Sequence, residues 1–318
     1  MKKNILVTGG AGFIGNHLCE ELLRRGNSVV AFDNLSLGRE GNIERLRTSE
    51  NFTFIKGDIL NKEEFQKLFD EHTFDVIFHL AANSDIAVSH KRPEIDFYNT
   101  FQTTFEVLNM AKQYDIKNIV FASTSAIYGD TNKLITEDFG PLKPVSHYGA
   151  AKLASEAFIN SFSANYGIKV WIARFPNVIG EYATHGVIYD FINKLKKDPK
   201  ELEVLGNGEQ IKPYIYVKEL VDALLFIWSN TDEQVNIFNV GVGSRTKVKE
   251  IAQMVIDGMG LPAKIRFTGG DRGWVGDVPE FNYDTSKINA LGWKEKISSN
   301  EAVKKTIDNI LALENYKK

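Results

Sequence analysis

The chain carries one cysteine, Cys19, in 318 residues. A lone thiol excludes an intrachain disulfide and a cysteine-rich metal site. Cys19 falls on an early helical run and reads as a small buried residue. No run of about 18 apolar residues occurs, so a membrane-spanning helix is not expected. The start, Met1-Lys2-Lys3-Asn4, leads into a short apolar run that breaks at Thr8-Gly9-Gly10. That run is too short for the core of a secretory signal. Charge of one sign is also scarce: 38 Lys and Arg stand against 41 Asp and Glu. Without a basic surplus, nucleic acid is not an expected partner. No Pro/Ser-rich linker and no repeat divides the chain, so its halves are expected to share an extensive interface. The simplest expectation is a cytoplasmic protein with one large domain or two that share a core.

What is present begins with a buried strand at 3–8, short, apolar and ended by glycine. Gly9-Gly10-Ala11-Gly12-Phe13-Ile14-Gly15 follows, then a helical run to about Arg25 and a second strand, 28–32. Glycines at 9, 12 and 15 permit a tight turn and let backbone approach a pyrophosphate at the helix N-terminus. Asp33, at the end of the second strand, suits the ribose hydroxyls of NAD and would repel a 2′-phosphate. Asn34-Leu35-Ser36 offer no arginine to compensate, so NAD is expected rather than NADP.

Further strands are expected at 51–56, 75–80, 117–121 and 169–174, with helices at 62–70 and 94–114 between them. That alternation argues for a doubly wound parallel sheet, which binds ligands at the carboxyl ends of its strands. Asp33, Asp58, Ala81-Ala82 and Ser123-Thr124 all occupy strand ends. His79, inside an apolar run, reads as a core histidine. Beyond 180 the expected elements are helices at 187–197, 218–229, 246–258 and 299–313, with strands near 203–205, 211–217 and 234–240.

Tyr148-Gly-Ala-Ala-Lys152 sits in a helix-forming run. Positions four apart share a helix face, so both polar heads can enter one pocket. A phenol is a poor base at neutral pH, and a nearby ammonium lowers its pKa. Taken alone the spacing also fits a solvated helix face. Its meaning comes from the strand-end residues that converge on the same crevice.

By these motifs the sequence resembles the extended short-chain dehydrogenase/reductases, in particular the nucleotide-sugar epimerases and dehydratases. The resemblance covers nearly the whole chain. It rests on TGGAGFIG at 8–15, Asp33, GDI at 57–59, HLAA at 79–82, STSAIYG at 123–129, YGAAK at 148–152, RFPNVIG at 174–180 and RGWVGDVP at 272–279. It implies an α/β fold: a doubly wound parallel (Rossmann) sheet over 1–175, and a smaller, interleaved nucleotide-sugar domain over 176–318, parts of which return to the first.

The resemblance also implies roles. Tyr148 is the base toward the sugar C4 hydroxyl, Lys152 binds the nicotinamide ribose, and Thr124 hydrogen-bonds the C4 oxygen. The NAD contacts it implies are Gly9, Gly12, Phe13, Ile14, Gly15, Asp33, Asn34, Asp58, Ile59, Leu80, Ala81 and Ala82. Those to the sugar nucleotide are Ser84, Thr124, Asn177, Lys212 and Arg272. Many relatives carry arginine where Lys212 stands. No metal is implied.

Family dehydratases place an acid two positions after the catalytic threonine, and fucose-synthase-like enzymes place a cysteine there. This chain has Ala126, which disfavours both chemistries. C4 epimerisation is the expectation, with net C4 oxidation, 4,6-dehydration or NAD sensing without catalysis as alternatives. Relatives pair through helices near 94–114 and 148–166. The stripe Phe97, Phe101, Phe105, Leu108 fits either that homodimer contact or the core.

Overall fold

The computed structural model describes residues 2–270, 280 and 282–316. Strand β1 is Asn4–Thr8, β2 is Ser28–Asp33, β3 is Phe52–Lys56, β4 is Val76–His79, β5 is Asn118–Ala122 and β6 is Lys169–Arg174. Val235–Asn239 supplies a seventh, so a segment of the second half completes the sheet of the first. The order across the sheet is Val235–Asn239, β6, β5, β4, β1, β2, β3, and all pairings are parallel. Parallel strands covered on both faces read as continuous apolar runs, as β4 does, buried at all four residues.

The two faces carry separate cores. On one, helix α1 (Phe13–Arg24) and the helix Val217–Asn230 pack Leu18, Leu22, Leu220 and Leu224 against the sheet. On the other, α2 (Lys62–Glu71) and the helices Thr103–Gln113 and His147–Tyr166 bring Phe65, Leu108 and Ile159. A third core, with Phe191, Leu195, Leu202, Val255 and Val303, holds the rest of the second half. The strand order reverses between β1 and β4, and such a reversal opens a crevice at the strands' carboxyl ends.

Two elements depart from the sequence expectation. The strand expected over 211–217 is cut at Pro213, which has no N–H to donate. Ile211–Lys212 pairs antiparallel with Thr246–Lys247, while Tyr214–Tyr216 pairs parallel with Asn177–Ile179. The helix expected from Glu94 is α-helical at Glu94–Asp96, passes into a π-helical stretch at Phe97–Gln102, and returns to α at Thr103–Gln113.

Candidate active site

The crevice begins at the glycine turn. Gly9 has φ +71, and a Cβ there would lie 2.8 Å from the Ala81 backbone nitrogen. A Cβ on Gly15 would lie 2.1 Å from the Gly9 carbonyl oxygen, so no side chain fits between helix and strand. Gly12 caps α1 without a side-chain hydrogen bond, and the first turn, which begins at Phe13 and Ile14, carries no acid. The positive end of α1 is left for an anion from outside, and the bare cradle leaves room for backbone N–H groups to meet it. The residues present therefore fit the diphosphate of a dinucleotide.

Asp33, at the end of β2, is buried. Its carboxylate accepts from the Ala11 N–H at 3.0 Å and the Leu35 N–H at 2.7 Å. Burial raises its pKa, and those amides oppose the rise. Asn34 donates to the Asp58 carboxylate at 3.0 Å, which ties the ends of β2 and β3 together beside the buried Ile59. Leu80 and Ala81 donate backbone N–H groups to Thr8 and form the opposite wall with Ala82. Ser84, just beyond, is exposed.

The catalytic candidates come from two elements that touch because of a glycine. Thr124 caps a 3-10 turn, Ser125–Tyr128, its hydroxyl accepting from the Ala126 N–H at 3.1 Å. The helix His147–Tyr166 presses on that turn at Gly149, where a Cβ would lie 2.5 Å from the Ala126 carbonyl oxygen. This close approach sets Tyr148 beside Thr124, whose side chain acts on its phenol. Lys152, one turn further along, is 2% exposed and donates to the Ala122 carbonyl at 2.6 Å, with its nitrogen 4.5 Å from the Phe121 ring centre and 6.0 Å from that of Tyr148.

The electrostatics differ from the simple expectation. Burial pushes the Tyr148 phenol up, Thr124 opposes the rise, and Asp96 adds to it. Burial also pulls Lys152 down to about 7, against Glu156 and Asp96, which hold it charged. For the phenol, desolvation by burial outweighs the lowering that a neighbouring ammonium would give. His79 is a core residue as expected. It bridges Thr8 and Thr104, and burial, aided by Lys152, pulls it down to about 3.

Beneath the pair lies a network that sequence reasoning missed. Glu156 accepts from Ser123 and from Arg174, whose Nη2 stands 2.7 Å from its carboxylate. Arg174 also donates to Tyr128 and to the Glu137 carbonyl. Glu156 follows Lys152 by four residues, so helical spacing was the available signal. Asp96, an acid in the first turn of its helix, gave no such signal.

The substrate candidates are partly assembled. Asn177 opens the strand Asn177–Ile179 and is exposed, and its register partner is Tyr214. The buried Lys212 lies two residues before Tyr214, on the neighbouring strand segment. Arg272 and the motif at 272–279 lie outside the described residues. Among the described residues no group of His, Cys, Asp and Glu could hold a metal ion, and no helix is long and apolar enough to cross a membrane.

A dinucleotide cradle facing a Tyr–Lys pair defines an oxidoreductase-type crevice. Comparison with known proteins narrows this. The family model described as the NAD dependent epimerase/dehydratase family matches residues 5–241. A solved UDP-galactose 4-epimerase is 38% identical, with TM-score 0.87 over 98% of this chain and 99% of its own. The UDP-glucose 4-epimerase of Thermotoga maritima, solved with UDP-glucose, is 31% identical, with TM-score 0.86 over 98% of this chain and 99% of its own. The dTDP-D-glucose 4,6-dehydratase of Mus musculus is 29% identical over 96% of this chain and 88% of its own length. The chain belongs to the NAD-dependent epimerase/dehydratase family of extended short-chain dehydrogenase/reductases, and it is an NAD-dependent enzyme.

Proposed function

We propose that the protein is a nucleotide-sugar 4-epimerase. The observation that carries this reading is the meeting of Thr124, Tyr148 and Lys152 at the crevice that the glycine cradle opens. Tyr148 takes the proton of the sugar C4 hydroxyl, Thr124 holds the C4 oxygen, and Lys152 orients the nicotinamide ribose. NAD, when bound, would supply hydride acceptance and return at C4. The 4-keto sugar turns over in the crevice before the hydrogen returns to the opposite face, with Tyr148 restoring the proton. Positioned acid–base help of this kind contributes roughly 10²- to 10⁴-fold in rate.

Gly9, Gly12, Phe13, Ile14 and Gly15 hold the diphosphate of NAD, Asp33 and Asn34 the adenosine ribose, Asp58 and Ile59 the adenine, and Leu80, Ala81 and Ala82 the wall beside it. Ser84, Asn177, Lys212 and Arg272 serve the sugar nucleotide. Dehydratases are among the relatives, but Ala126 has no proton to give a leaving C6 hydroxyl. UDP sugars are the substrates to try first, since both solved epimerases are named for them. The test is to incubate the purified protein with UDP-glucose and UDP-galactose and follow the products by NMR. Interconversion with no net NAD consumption supports the reading; a 6-deoxy-4-keto product or accumulating keto sugar and NADH would overturn it.

The same reading includes a homodimer and a cytoplasmic setting, which the single buried thiol suits. Leu108 of the aromatic stripe and Phe162 of the helix His147–Tyr166 are core, yet Phe97 of the stripe is 52% and Phe158 of the helix 40% exposed. Phe101 and Phe158 meet edge to face at 5.2 Å and Phe105 and Phe158 at 5.6 Å, forming a ladder across both helices. Such a contiguous apolar patch marks an interaction surface. Sedimentation should give twice the 35.8 kDa chain mass at micromolar concentration, and Phe97→Asp with Phe158→Asp should return it to a monomer. A wild-type monomer under those conditions contradicts the dimer.

A further inference from the structure

The helix His147–Tyr166 grips the end of β5 at successive turns. Lys152 donates to the Ala122 carbonyl at 2.6 Å, and four residues further on Glu156 accepts from the Ser123 hydroxyl at 2.5 Å. The residue after Ser123 is Thr124, which the reading above gives to the sugar C4 oxygen. From the other side β6 holds the same stretch: Ala122 pairs with Ala173, and the Ser123 N–H donates to the Ala173 carbonyl at 2.8 Å. Those backbone bonds keep the strand end in the sheet. The Ser123 side chain is what ties the residue before Thr124 to the helix of Tyr148 and Lys152.

The acceptor of that tie is itself fixed. Arg174, the last residue of β6, places its Nε 3.1 and 3.2 Å from the two carboxylate oxygens of Glu156 and its Nη2 2.7 Å from one of them. Ser123 has no exposed surface, and Glu156 and Arg174 are buried. A hydrogen bond to a charged acceptor is at its strongest where water is excluded. Neither Ser123 nor Glu156 has a role in the cofactor or sugar contacts above, and their burial keeps them from a ligand. Whatever they contribute passes through their neighbours, Thr124 and Lys152.

We propose that Ser123 and Glu156 are positioning residues, their bond setting the end of β5 against the helix and with it the separation of Thr124 from Tyr148 and Lys152. The proposal rests on the reading of those three as the catalytic residues of a 4-epimerase. Acid–base groups act only within hydrogen-bond reach of the proton they move. A misplacement of about 1 Å can cost about 10²-fold in rate.

Ser123→Ala deletes the hydroxyl and leaves the Glu156–Arg174 pair in place. With UDP-galactose, its kcat should fall by roughly 10- to 100-fold, while KM and the NAD released on denaturation match the wild type. The isotope effect on kcat with UDP-galactose deuterated at C4 should be at least as large as the wild type's, because transfer of that hydrogen is the step slowed. Should the alanine variant fail to fold, Ser123→Cys, whose S–H is a weak donor, is read in the same way. An unchanged kcat, or a slower turnover whose isotope effect shrinks towards one, would overturn the proposal and leave the bond a structural tie. A wild type that does not interconvert UDP-galactose and UDP-glucose fails the 4-epimerase reading, and the proposal with it, before any variant is compared.

Discussion

Tyr148→Phe is expected to abolish turnover while the protein still binds NAD. The substitution deletes one oxygen. The ring keeps its place, because the helix is set against the Thr124 turn by the Gly149 approach and not by the hydroxyl. What disappears is the phenol on which Thr124 acts, and with it the proton acceptor for the C4 hydroxyl. General acid–base catalysis sets the scale, a loss of roughly 10²- to 10⁴-fold in kcat. Released cofactor, measured after denaturing the purified variant, should match the wild type. A variant that retains most of its activity would show that proton transfer runs through another group.

The second large effect concerns stability. Arg174→Leu should destabilise the fold by about 3–5 kcal/mol, because it strands the buried Glu156 without its cation. The pair is 6% and 3% exposed at the side chains, and Arg174 also secures Tyr128 and the Glu137 carbonyl. The cost comes chiefly from the abandoned charge, so Arg174→Leu combined with Glu156→Leu should recover part of it. Denaturant midpoints of the two single variants and the double variant give the comparison. A double variant as unstable as the sum of the singles would mean that the hydrogen bonds around the pair, not the uncompensated charge, carry the loss.

The sequence made legible whatever depends on residue type at one backbone position. Gly9 and Gly15 announce the turn because any Cβ there would strike the backbone, and Asp33 announces the end of β2 because nothing apolar is expected at that point. The parallel sheet was equally readable, since strands covered on both faces are continuously apolar. The split at Pro213 could have been read from the missing N–H. Properties that depend on tertiary surroundings were not readable. The Phe97–Phe105 stripe has the same spacing whether it faces a core or a partner. Asp96 resembles any helix-start acid until its burial is known. The Tyr148–Lys152 pair is legible from its spacing, but the burial that pushes the phenol up and the ammonium down is not.

The account turns on one event, the departure of hydrogen from C4 and its return to the same carbon with the opposite stereochemistry. A UDP-hexose deuterated at C4 tests this directly. After conversion in ordinary water, NMR of the C4 epimer should show the deuterium still at C4, with no solvent hydrogen taken up there. Loss of the label to solvent, or a 4-keto product whose C6 has become a methyl group, would contradict it.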